Sequence, residues 1–185
     1  MAPPTVKYYR QEDFNYCGPA CLRMVIEAVG GPLVSQPSLY KDAHGHGTQD
    51  TKSAWWSPPD GVEYTAEKHT SLPFDLAVET GELRLTRRLV WSLYSGFPPV
   101  ALVYGDDHWV VVVDYDVSRD PVGSEDNSYD VRAIEIHNPW REEEEGDPPP
   151  PPPGTHVTIQ TWREDYLMKV PAGHWKNKFV ALVGG

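Results

Sequence analysis

Basic residues are scarce in this chain of 185 residues: 16 Lys and Arg stand against 27 Asp and Glu, for a formal net charge of -11. A surface so poor in cations cannot displace the counterions of a phosphate backbone, so nucleic acid and anionic membranes are excluded as main partners. Cysteine is nearly absent. Cys17 and Cys21 are the only two, too few for the disulfide framework of a small secreted domain. The N-terminal residues lack the apolar core of a secretory signal, so the expected location is the reducing cytoplasm, or that of an effector delivered without such a signal. Long hydrophobic runs are missing as well. A bilayer-spanning helix needs roughly twenty apolar residues, whereas the longest aliphatic run here, residues 110–113, has the length of a piece of buried strand. Metal-ligand spacing is also lacking: Cys17 and Cys21 together with His44 and His46 do not make a zinc signature, and neither metal nor cofactor is expected.

What the chain does have is length for one buried core and strongly patterned segments. It reads as one catalytic domain over residues 1–185, with residues 141–154, an acidic run followed by six prolines, as an exposed loop insertion. Residues 20–29 predict a helix, because Leu22, Val25, Ile26 and Val29 fall on one face and Gly30-Gly31-Pro32 ends it. Pro19 suits the first turn of that helix, which leaves Cys17 at its start. Residues 32–73 read as irregular and loop-rich, with room for one or two short helices. Helices are predicted at 76–79 and 86–94, strands at 100–104, 109–115, 131–137, 156–162 and 178–183, and a short helix at 164–168. The fold class is therefore α+β, with an N-terminal helical part packed on an antiparallel sheet.

The chemistry lies in four residues. A thiol attacks only as its thiolate, which a helix N-terminus and a neighbouring imidazole favour; Cys17 sits at such a terminus. His108 begins the valine-rich strand and Asn138 follows the end of the next. Antiparallel pairing would make them neighbours, with the Asn138 amide oxygen accepting the imidazole N–H and fixing its tautomer. Gln11, six positions before the nucleophile, is placed to donate to the oxyanion. Trp109, beside the histidine, and Gly18, beside the cysteine, are candidates to contact substrate. Cys21, one turn along the same helix, is expected in the core, and His137 is expected to point to the other face of its strand.

The segments Gln11-Glu-Asp-Phe-Asn-Tyr-Cys17-Gly-Pro-Ala-Cys21, Asp107-His108-Trp-Val-Val-Val-Val-Asp-Tyr-Asp and Asn138-Pro139 resemble the C39 group of papain-like cysteine peptidases, over nearly the whole chain. The resemblance implies a papain-like fold, cleavage of leader peptides after a double glycine, Cys17 as nucleophile, His108 as base, Asn138 as orienting residue and Gln11 as oxyanion donor. Partners would be a peptide or protein substrate, such as a leader peptide, and a cognate inhibitor or immunity protein. Where the family usually has Asp before Pro, this chain has Asn138. The same site chemistry also serves deamidases, acyl transferases and toxins, and a binding module on an inactive scaffold is the third alternative.

Overall fold

A computed structural model of the chain describes residues 3–50, 55–142 and 147–185. The first helix, α1 (Cys17–Ala28), is followed by α2 (Gln36–His46), α3 (Pro59–Thr70), the strand β1 (Phe74–Glu79), α4 (Glu82–Tyr94), and the strands β2 (Val100–Val103), β3 (His108–Val117), β4 (Val131–His137) and β5 (Thr155–Thr158). Two short helical turns, Ile159–Thr161 and Trp162–Tyr166, lead to β6 (Phe179–Gly184). The strands form one sheet in the order β1-β6-β2-β3-β4-β5, antiparallel at every pairing. This is the expected α+β, papain-like arrangement of helices on an antiparallel sheet.

Both faces of the sheet are covered, which explains the unbroken valines of β3. Trp109 and Val111 join a core with Cys21, Leu22 and Val25 of α1, Leu39 of α2 and Val62 of α3. Val110 and Val112 point the other way, into a second core with Leu85, Leu89 and Leu93 of α4 and the fully buried Trp162. Alternation with period two is present in β3, but apolar side chains are needed on both sides, so the hydropathy pattern reads as a continuous run.

Four expectations about elements are corrected. Residues 76–79 are not helical; they belong to β1, which pairs along its length with β6, from Phe74 opposite Gly184 to Glu79 opposite Phe179. Strand pairing with a distant partner overrides a short segment's local preference. Residues 32–73 contain two full helices rather than mainly loop. Ser35 caps α2 by accepting from the Ser38 N–H, and each helix has proline in its first turn, where the missing N–H costs nothing. His44 and His46 accordingly lie in the last turn of α2 rather than in a loop. The strand expected at 156–162 ends at Thr158, because Thr158 caps the turn that follows through its side-chain oxygen. Of the acidic run, residues 143–146 lie outside the described residues, as do residues 51–54. Among the described residues no helix is long and apolar enough to cross a membrane.

Candidate active site

Cys17 is the first residue of α1 and is half-buried. Pro19 removes one of the unpaired N–H groups of that helix start, and the next, on Ala20, donates to the Tyr16 carbonyl at 2.8 Å. The backbone of Trp109 then clips β3 to this end of α1. Its N–H faces the Cys17 sulfur, and its carbonyl accepts from Cys21 Sγ at 3.3 Å. Two cysteines one helical turn apart thus meet the N–H and the C=O of one strand residue, and His108, the residue before it, lines the same cleft as Cys17. Cys21 is fully buried, as expected of a core residue.

β3 and β4 pair with Val111 opposite His137, so the start of one strand meets the end of the other. His108 Nε2 and Asn138 Oδ1 are 2.8 Å apart. The same Oδ1 accepts the Trp140 backbone N–H at 3.0 Å, and a backbone N–H can only donate. The atom between them must therefore be the amide oxygen, so Nε2 carries the imidazole proton and Nδ1 of the neutral ring keeps its lone pair. Among the described residues no hydrogen bond joins Cys17 to His108.

Burial dominates the electrostatics. It pushes the Cys17 thiol up to about 11, against the pull of the backbone N–H groups of Trp109, Gly18 and Cys17 itself. It also lowers His108 below the ordinary imidazole value, although Asn138 and Asp107 pull the other way. Both shifts favour uncharged forms.

Gln11 is buried and lines the cleft. Its backbone N–H donates to the Pro139 carbonyl at 2.9 Å, which ties it to the Asn138 loop. Its Nε2 donates to the carbonyls of Asp13 (3.2 Å) and Phe14 (3.0 Å). Its Oε1 has no hydrogen-bond partner among the described residues. The side chain expected to donate to an oxyanion therefore lines the same cleft as the cysteine, with its donors turned to the backbone.

Two candidate substrate contacts fall elsewhere. Trp109 is 2% exposed and its indole N–H donates to the Ser57 carbonyl at 3.1 Å; alternation along β3 turns it into the core instead of the cleft. Gly18 is also buried, and a Cβ built on it would lie 2.6 Å from Ser57 Cβ and Oγ, so its lack of a side chain serves packing. The cleft, of about 760 Å³, is lined instead by Phe14, Trp56, Tyr104, Trp140 and Tyr166, with three prolines of the proline run. Tyr104 adopts a left-handed φ of 56° in the turn between β2 and β3, costly for a bulky residue, and its ring lies over His108 with centroids 6.3 Å apart. Sequence spacing could not find Phe14, Tyr104, Trp140 and Tyr166, since they come together only through chain reversals, although the dipeptide Tyr104-Gly105 does mark a turn. His137 is structural: its Nε2 donates to the Val6 carbonyl and its Nδ1 accepts the Gly154 N–H, both at 3.0 Å.

A profile of the Peptidase_C39 like family matches residues 4–146. The chain belongs to this family. Two solved structures share its fold. The peptidase domain of Streptococcus ComA, a bi-functional ABC transporter involved in a quorum-sensing pathway, is 17% identical with a TM-score of 0.53, and covers 98% of this chain and 100% of its own. A double glycine motif protease from an AMS/PCAT transporter, solved in complex with the leader peptide, is 14% identical with a TM-score of 0.50, over 99% of this chain and 93% of its own. No curated protein matches the sequence significantly.

Proposed function

We propose that this chain is a cysteine peptidase that hydrolyses a peptide bond through Cys17, His108 and Asn138. The observation that carries the reading is the 2.8 Å contact from His108 Nε2 to Asn138 Oδ1, which leaves Nδ1 as a base in a cleft shared with the thiol at the start of α1. As substrate enters, Nδ1 takes the thiol proton while sulfur bonds to the scissile carbonyl carbon. The resulting oxyanion is held by the Cys17 backbone N–H and by Gln11, whose Nε2 exchanges its carbonyl partners for the substrate oxygen. Collapse expels the amine, protonated by His108, and leaves an acyl-enzyme that water resolves by the same proton path in reverse. Asn138 orients the ring without adding a negative charge, so the imidazolium is less stabilised than beside a carboxylate.

Membership of the family and the leader-bound neighbour favour a leader peptide as substrate, cut after a double glycine. Incubating the protein with a synthetic double-glycine leader and reading the products by mass spectrometry tests this. New termini are expected from the unsubstituted protein and none from Cys17→Ala. A mass gain of about one dalton without cleavage would identify a deamidase instead, and full turnover by Cys17→Ala would sink the assignment of the nucleophile.

A further inference from the structure

The six prolines at 148–153 return to the active site. Pro148, Pro149 and Pro151 line the same cleft as Cys17 and His108. The root of the run is pinned: Thr155 Oγ1 donates to the Pro152 carbonyl at 2.6 Å, and Gly154, with a left-handed φ of 70°, gives its N–H to His137 Nδ1. His137 in turn donates to the Val6 carbonyl. Because His137 precedes Asn138, the proline run and the residue that orients the base hang from the same end of β4. The family match ends at residue 146, before the first of these prolines.

A proline run is a particular kind of wall. It has no N–H to offer, so a substrate strand cannot pair with it as with a sheet edge. Its backbone is held near one extended conformation, so it yields little to make room. We propose that Pro148, Pro149 and Pro151 form a rigid wall that selects what reaches Cys17: a slender, extended segment enters, and a bulky or folded one is shut out. This deepens the peptidase reading and rests on it for Cys17 as the reacting group.

The test compares two maleimides on the whole protein, N-methylmaleimide and a maleimide carrying a bulky polymer, with modification of Cys17 and Cys21 separated by peptide mapping. The shared reacting group cancels the thiol's own reactivity, leaving a ratio that reads access. Replacing residues 148–153 by alternating glycine and serine should raise the ratio of bulky to small reagent at Cys17 by about tenfold, and leave the small reagent's rate within about twofold. The pair Pro149→Gly and Pro151→Gly, which keeps the run's length, should raise it in the same direction. A ratio unchanged in both variants, or equal acceleration of both reagents, overturns the wall. A Cys17 slow toward every reagent in every variant counts against the nucleophile, while the ratio still decides the wall.

Discussion

Gly18 shows how tightly Cys17 is set. Its absent Cβ would sit 2.6 Å from both Ser57 Cβ and Oγ, with Trp109 Cδ1 at 3.4 Å behind them. Gly18→Ala should cost about 1–3 kcal/mol as α1 shifts from the Ser57 segment that precedes α3, measured as a lower denaturant midpoint, and should remove most of the proposed peptidase activity by displacing Cys17. Combining it with Ser57→Gly, which deletes the colliding atoms, should recover much of both losses; strictly additive losses would show that the clash is not the cause. Cys, His and Asn are legible in the sequence because each stands at the boundary of a strongly patterned segment, Cys17 and His108 at a start and Asn138 just past an end; Gln11 is found only by its spacing from Cys17. The orientation of Gln11 is not legible, since it depends on the carbonyls of a turn at Asp13 and Phe14 that has no periodic signal.

At the level of elements, the strands that carry the site are the clearest in sequence: the third predicted strand, 131–137, coincides with β4. β1 does not read as a strand because its burial does not alternate strictly; it is an edge strand whose identity is settled by β6. Its free edge is managed by a side chain, since the Leu76 N–H donates to Glu63 Oε1 on α3 at 3.1 Å. Glu63→Ala should lower stability by about 1 kcal/mol and speed hydrogen exchange at Leu76, whereas Glu63→Gln keeps an acceptor and should change little. Equal exchange rates in the two variants would show that the contact does not guard the edge. α2 and α3 are hidden in the sequence for a related reason. Their polar faces are broad, and their leading prolines, which pre-form a first turn, look like loop punctuation when read alone.

For the molecule as a whole, both thiols and three of the tyrosines are shifted in one direction. Cys17 stands at about 11, Cys21 is raised well above its usual value by burial, and Tyr104, Tyr115 and Tyr129 are raised too. Groups whose pKa is raised by folding contribute stability below their unfolded values and lose it as pH climbs through the folded ones. The fold should therefore weaken above about pH 9, with the Cys17 share exceeding about 1 kcal/mol by pH 10. Urea titrations at neutral and alkaline pH would show it, and Cys17→Ala should flatten that dependence; an unchanged slope would mean the thiol is not desolvated in the fold. The strand order carries one more consequence. β6, the last of the six strands in chain order, lies between β1 and β2, so during synthesis the sheet stays split until residues 179–184 have left the ribosome. A nascent chain short of that point lacks the strand that joins β1 to the strands bearing His108 and Asn138, and with it Val180 and Leu182 of the core under α1, so the packing that backs Cys17 is completed last.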